Sequence, residues 1–161
     1  MLGTDEQLQR ALDLGYSYLN RRERTVVEVE HQLEREGIVP ELIEAAIRRL
    51  GEQGFLDDDR FARLFVADKR ELEQWGAERI RRGLLSRGID RDLAEIALGS
   101  GREPEELEES ELDRALALLR QRFPTPLADR RERERALGVL LRKGYESELA
   151  LDALDAHARG D

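Results

Sequence analysis

Apolar residues recur along the chain with the spacing of α-helices. Three pairs lie four positions apart, which places each pair on one helix face: Val29 with Leu33, Ile80 with Leu84, and Ala136 with Leu140. Gly37, Gly88 and Gly144 each follow a pair by four positions. Glycine at that place is typical of the left-handed residue that ends a helix. Alternating Val/Ile/Thr runs are almost absent, so strands are not expected and the pattern predicts an all-α protein.

The same three glycines mark an internal repeat. They are 51 and 56 residues apart, and aligning them brings the same apolar classes into register. The aligned positions are Ile38, Ile89 and Tyr145; Leu42, Leu93 and Leu149; Ala46, Ala97 and Ala153; and Ile47, Leu98 and Leu154. We therefore predict three tandem three-helix repeats, at 1–54, 55–101 and 102–161, that form an elongated, curved helical stack.

Each repeat is predicted to contain three helices. The predicted ranges are 5–20, 25–36 and 40–52; 57–74, 76–87 and 90–99; and 105–122, 127–143 and 146–157. Thr25 followed by Glu28 predicts a capping box, and Asp57, Asp58 and Asp59 are expected to cap the next helix. We expect the main hinge within 99–104, where two glycines and a proline fall together.

Composition narrows the function. The 161 residues include 27 basic and 36 acidic side chains, for a net charge of −9, and no cysteine. Disulfides, thiol nucleophiles and Cys-based zinc sites are therefore excluded. His31 and His157 are expected to be exposed, not ligands. No apolar stretch long enough for a membrane span and no signal region are present, so a cytoplasmic protein is expected. We find no catalytic motif, and expect no enzyme, cofactor or metal site.

The basic residues are the better candidates for function. Of the 27, only Lys69 and Lys143 are lysine, and residues 120–143 carry eight basic against three acidic side chains. The candidate partner-binding residues are Arg60, Arg79, Arg81, Arg82, Arg87, Arg131, Arg135, Arg142 and Lys143. They are either ordinary helix-surface arginines, with Glu78 expected to pair with Arg82, or a face for phosphate or an acidic protein groove. The net charge argues against a strong autonomous nucleic-acid binder.

Aromatic residues are few. Five of them are predicted to lie in the core where long helices pack: Tyr16, Tyr18, Phe55, Phe61 and Phe65. Trp75 precedes Gly76 at a predicted helix junction. It is expected either to anchor that junction or to contact a partner.

Four blocks of sequence resemble the motifs of the RecX family of bacterial regulatory proteins. GFLDDDRFA at 54–62 resembles G-Y/F-L-D-D-x-R-F, and GAERI at 76–80, with Leu84, Gly88 and Ile89, resembles G-x-x-R-I-x-x-x-L-x-x-x-G-I. RERTVVEV at 22–29 with Leu33 resembles R-x-R-S/T-x-x-E-L/V-x-x-x-L, and LLRKGY at 140–145 is similar to the closing L-x-x-R/K-G-F/Y. The resemblance covers about 10–157. The acid-rich segment 102–114 is longer than usual, and Ala136 replaces a larger aliphatic residue.

The resemblance implies a function. Such proteins modulate, and mainly inhibit, RecA, the recombinase that polymerises on single-stranded DNA. They lie along the groove of the RecA filament, bridge protomers, and lower ATP hydrolysis, strand exchange and coprotease activity in the SOS response. A monomer with weak contact to single- or double-stranded DNA is expected. The residues alone leave two alternatives open: a generic helical-repeat adaptor and a weak direct DNA binder.

Overall fold

The computed structural model describes residues 3–107 and 109–160, and over these ranges the chain forms nine α-helices and no strand. The helices are α1 (Thr4–Leu19), α2 (Val26–Arg35), α3 (Pro40–Glu52), α4 (Asp58–Leu72), α5 (Ala77–Ser86), α6 (Arg91–Leu98), α7 (Glu111–Arg122), α8 (Arg130–Lys143) and α9 (Ser147–Ala158). A short 3₁₀ turn covers Pro104–Glu106. The predicted all-α fold of three three-helix repeats is confirmed.

Each set of three helices packs around its own apolar core. We call α1–α3 unit 1, α4–α6 unit 2 and α7–α9 unit 3. Leu33 is fully buried in unit 1, Leu84 in unit 2 and Leu140 in unit 3, each in a separate cluster. The accessible surface is 10084 Å², whereas a compact monomer of this mass exposes roughly 8200 Å². The excess indicates an open arrangement of small cores. The limits 1–54, 55–101 and 102–161 stay a prediction.

The repeat glycines end the second helix of each unit. Gly37, Gly88 and Gly144 have φ of +80°, +85° and +97°, a conformation that costs other residues free energy. The N–H after each glycine returns to the carbonyl five residues back, which closes the helix. These bonds are Ile38 to Leu33 (3.0 Å), Ile89 to Leu84 (3.1 Å) and Tyr145 to Leu140 (3.0 Å). The left-handed helix ends predicted from the spacing are present.

Side-chain caps set several helix starts. Thr25 Oγ1 accepts from Glu28 N–H at 3.1 Å while the Glu28 carboxylate accepts from Thr25 N–H at 3.0 Å, so the predicted capping box forms. α7 begins at Glu111, not at 105, because Ser110 caps it. α8 likewise begins after Asp129 instead of at 127. Capping supplies partners for N–H groups that a helix cannot satisfy itself.

Two predictions of burial are wrong. Phe55 is 49% exposed. It lies in the turn after α3, where its N–H bonds to Leu50 O and its ring contacts Tyr16 edge-on at 5.2 Å. His157 is buried, with Nε2 2.8 Å from Phe123 O, because α9 packs on the end of α7. His31 is exposed as predicted.

Candidate functional site

Two joints hold the three units together, and equivalent helix ends meet in both. In each, the start of the second helix of one unit meets the end of the second helix of the next. At joint 1, between units 1 and 2, Thr25 Oγ1 donates to Arg87 O at 2.6 Å. At joint 2, between units 2 and 3, Gly76 N–H donates to Lys143 O at 2.7 Å. Thr25 and Gly76 occupy equivalent repeat positions, as do Arg87 and Lys143.

A carboxylate completes each joint from the following unit. Asp58, the first residue of α4, accepts from Val26 N–H at 2.9 Å. Glu111, the first residue of α7, accepts from Ala77 N–H at 2.5 Å. Both carboxylates satisfy an N–H in the first turn of a helix of the preceding unit. Burial raises the pKa of the Asp58 carboxyl, and the hydrogen bond from Val26 partly opposes that shift.

Glycine allows the backbones to approach closely at these joints. A Cβ on Gly76 would lie 2.6 Å from the carbonyl of Gly144, and one on Gly144 would collide with Arg79. At joint 1, a Cβ on Gly88 would collide with the Val27 side chain. The equivalent Gly37, which lies at no joint, has open space around it. Contacts between units therefore leave no room for a side chain at positions 76, 88 and 144.

Joint 2 has further polar contacts. Arg79 stacks 4.2 Å over the Trp75 ring and donates to Arg142 O at 3.1 Å. Lys143 Nζ donates to Glu73 O at 2.7 Å. The Tyr145 hydroxyl donates to Gln74 O at 3.2 Å, and burial raises the pKa of that phenol, which keeps it protonated. Trp75 packs edge-on against Phe65 and beneath Arg79 where α4 is followed by α5, which agrees with the first of its two predicted roles.

Five of the nine cations predicted to bind a partner make contacts inside the protein. Arg79 and Lys143 belong to joint 2. Arg60 donates to Gly54 O at 3.0 Å and pairs with Glu23. The contacts of the remaining two are Arg81 with the Glu95 carboxylate and Arg87 with Gly83 O and the face of Phe65. The hydrogen bond from Arg81 holds the pKa of the Glu95 carboxyl below its usual range. Each of these five cations has a structural role.

The other four, Arg82, Arg131, Arg135 and Arg142, are exposed, and their side chains have no hydrogen bond or ion pair with another described residue. We call these four residues the cationic ridge. The predicted pair between Glu78 and Arg82 is not formed within the described chain. Arg131, Arg135 and Arg142 lie on α8, whereas Arg82 lies on α5, one turn after Arg79, which reaches Arg142 O across joint 2.

Pockets, metal sites and membrane-spanning helices are the other features to consider among the described residues. An open depression of about 950 Å³ between the end of α1, the turn after α3 and the start of α4 is lined by Tyr16, Phe55, Arg60 and their neighbours. Over the ranges that the structure covers, no group of three or more His, Cys, Asp or Glu side chains could hold a metal ion. Nor does any helix in those ranges have the length and apolar character to cross a bilayer. Serial units with an exposed cationic ridge define a helical-repeat protein that presents extended surfaces.

Comparison with known proteins identifies the family. Models of the first, second and third three-helix domains of RecX match residues 11–50, 57–98 and 108–154. The regulatory protein RecX of Xanthomonas campestris pv. campestris (strain B100) is 36% identical over 143 residues, 86% of this chain and 80% of the relative. RecX of Prosthecochloris aestuarii is 30% identical over 156 residues, 94% of this chain and 96% of the relative. The chain belongs to the RecX family of regulatory proteins.

Solved structures agree on the fold. The crystal structure of RecX from Lactobacillus salivarius superposes with a TM-score of 0.80 at 21% identity, covering 98% of this chain and 99% of that one. A second crystal structure of a regulatory protein RecX gives a TM-score of 0.74 at 23% identity, covering 94% of this chain and 75% of that one. The three-unit architecture is therefore shared along nearly the whole chain.

Proposed function

We propose that this protein inhibits RecA by binding along the groove of the RecA filament on single-stranded DNA. Bound there, it bridges successive protomers and lowers ATP hydrolysis, strand exchange and coprotease activity. The observation that carries the proposal is the joint that occurs twice between equivalent helix ends. Equivalent joints place successive units in a similar relation, and such a series suits a target whose subunits repeat along a helix. Membership of the RecX family supports the choice of RecA.

Binding through several units explains how such a chain inhibits a polymer. Once one unit is docked, the next binds at a high effective concentration, so weak contacts combine into tight attachment. A protein attached to more than one protomer opposes the rearrangements that ATP turnover requires. The proposed role is that of a cytoplasmic, monomeric, non-enzymatic regulator that needs no cofactor.

The partner-binding residues remain a proposal. We retain the nine cations as the starting set, with two roles now separated. Arg60, Arg79, Arg81, Arg87 and Lys143 support the binding surface by holding units and loops in place. Of the nine predicted cations, only the four ridge residues have guanidinium groups without a partner in the described chain.

An ATPase titration tests the proposed function. Purified protein is added to RecA on single-stranded DNA, and ATP hydrolysis is followed as a function of the molar ratio. Inhibition well below one molecule per RecA protomer is expected, because one bound chain restrains several protomers. The Ile80→Asp variant, which buries an unpaired charge in the core of unit 2, is expected to be inactive. An unchanged ATPase rate at saturating wild-type protein would contradict the proposal.

Direct DNA binding is the alternative that one observation favours, because the cationic ridge is exposed and unpaired. It predicts tight, steeply salt-dependent binding to DNA without RecA. A generic adaptor would instead leave both RecA and DNA unbound. Measuring binding to the bare oligonucleotide alongside the filament separates these outcomes.

A further inference from the structure

We infer that the cationic ridge docks on carboxylate side chains of a protein surface. On the filament it would therefore contact RecA and not the phosphates of the DNA. This inference rests on the proposed function. It adds to it the chemical class of the contact and the four residues that make it. Arg82, Arg131, Arg135 and Arg142 are the residues concerned.

The pairing on α8 leaves one set of arginines available. Arg130 pairs with Glu134 at 3.1 Å, and Arg133 pairs with Asp155 of α9 at 2.7 Å. The Glu132 carboxylate accepts from Ala128 N–H at 2.8 Å. The carboxylates of this helix therefore already have partners, although Arg131, Arg135 and Arg142 stand beside them. A carboxylate of another molecule could therefore pair with these three arginines.

The available arginines share one helix face. Arg131, Arg135 and Arg142 fall within about 40° of one another around α8 and extend over about 16 Å of its length. Gly138 lies on the same face between the last two. A Cβ there would be 2.9 Å from Arg142 Nη1, so the glycine lets the guanidinium lie flat along the helix. Glycine is unfavourable inside a helix. Because Gly138 has no side chain, a partner surface can approach the ridge closely at this position.

The surroundings of the ridge favour protein carboxylates over a nucleic-acid strand. The whole chain has a net charge of −9, which repels a polyanion at long range. Glu78 and Glu134 are exposed close to ridge residues in sequence and would face a continuous line of phosphates. Neither α5 nor α8 contains an aromatic residue on which bases could stack. A protein surface can instead place carboxylates opposite the arginines alone, and the forked guanidinium suits them.

Zero-length cross-linking tests the chemistry of the contact directly. Carbodiimide couples an amine to a carboxylate only where the two touch, and Arg→Lys keeps the positive charge. The chain has only two lysines, Lys69 beside Trp75 and Lys143 bonded to Glu73 O, so few bonds can form through its own side-chain amines, and peptide mapping separates these from bonds between RecA lysines and its carboxylates. Arg131→Lys and Arg135→Lys are compared with Arg49→Lys, an exposed arginine on α3 of unit 1.

The expected result is coupling of both ridge lysines to RecA on the filament, about tenfold above wild type, with Arg49→Lys at the wild-type level. Peptide mapping should place the bonds on Asp or Glu of RecA. Equal coupling in all three variants, or none above wild type, would overturn the inference even if the wild-type protein inhibits RecA.

Charge reversal gives an independent readout. Arg135→Glu is expected to weaken filament binding about tenfold, whereas Arg49→Glu changes it less than about twofold. Weak binding of either variant to a bare single-stranded oligonucleotide should equal that of wild type. If Arg135→Glu lowers binding to the bare oligonucleotide by the same factor as to the filament, the ridge binds phosphate and the inference fails. If wild-type protein does not bind the filament at all, the proposed function fails instead.

Discussion

Joint 1 and joint 2 perform the same structural task with different residues. At joint 1, a threonine side chain bonds to the next unit; at joint 2, the equivalent position is a glycine whose backbone N–H makes the bond. The carboxylate that completes each joint is Asp58 in one and Glu111 in the other. The comparison teaches that the same helix ends meet in both joints. The residue type at each position depends on how much room the neighbouring backbone leaves.

The two joints differ in how closely the backbones approach. Gly76 lies so near Gly144 that no Cβ fits, whereas Thr25 is accommodated at the equivalent place in joint 1. Joint 2 also includes the bonds made by Arg79, Lys143 and Tyr145. We therefore expect joint 2 to tolerate less change, and the predictions below follow from the largest expected effect to the smallest.

Gly144→Ala is expected to have the largest effect. It adds the strain of a left-handed residue, about 1–2 kcal/mol, to a collision with Arg79. Gly37→Ala is the matched control, because its φ of +80° imposes the same strain in open space. Urea unfolding should show a loss about 1–3 kcal/mol greater for Gly144→Ala than for Gly37→Ala. Equal losses would mean that contact across joint 2 adds nothing.

Gly76→Thr places the residue of joint 1 into joint 2. A loss of about 1–3 kcal/mol in the free energy of unfolding is expected, since the side chain meets the backbone of Gly144. Gly3→Thr is the control: both glycines are helix N-caps with extended backbone, but a Cβ on Gly3 would meet nothing within 4 Å. The control should lie within about 0.5 kcal/mol of wild type. A tolerated Gly76→Thr would show that the two joints have similar space.

Thr25→Ala measures the side-chain bond of joint 1. Ser110→Ala removes a similar capping box at α7 and should cost about 1 kcal/mol. Thr25→Ala removes its own cap and also leaves Arg87 O without the hydroxyl donor, so about 2 kcal/mol is expected. Thermal unfolding of the two variants checks the difference. If Thr25→Ala costs no more than Ser110→Ala, the bond across the joint contributes nothing.

Asp58→Asn should have the smallest effect. The amide oxygen can still accept from Val26 N–H, and the cost of burying a charge disappears. Because burial raises the native pKa of Asp58, the native state holds its proton more tightly than the unfolded state. The contribution of this carboxyl to the free energy of unfolding therefore falls as pH rises from about 4 through its native pKa. Above that pKa the contribution no longer changes with pH. The free energy of unfolding of wild type relative to Asp58→Asn should therefore fall between pH 4 and 7; a difference that stays constant with pH would contradict this assignment.

Local signals in the sequence predicted most of the helix ends. The glycines at 37, 88 and 144 and the Thr25 capping box depend on residues within one turn, and all are present. The start of α7 was predicted too early, although Ser110 with Asp113 forms a local capping pattern that could have set it.

The joints could not be predicted in the same way, because their contacts join distant positions. Arg79 meets Arg142 O across 63 residues, and Tyr145 meets Gln74 O across 71. Long separation also applies to Arg79 and Lys143, which resemble binding residues but make internal contacts across 63 and 70 residues. His157 was misplaced for this reason too, since its partner Phe123 lies 34 residues away. Ion pairs with i,i+4 spacing, such as Arg130 with Glu134 and Arg63 with Asp59, are the kind that sequence spacing can predict.

Co-sedimentation of Gly76→Thr with the RecA filament tests the central claim most directly. Gly76 lies at joint 2 outside all three core clusters, so the three cores are expected to stay folded in this variant. If equivalent joints position the units along the filament, wild-type protein sediments with it and the variant binds about tenfold more weakly, with unchanged helix content by circular dichroism. Equal sedimentation of the two proteins, or none of the wild type, would contradict the account.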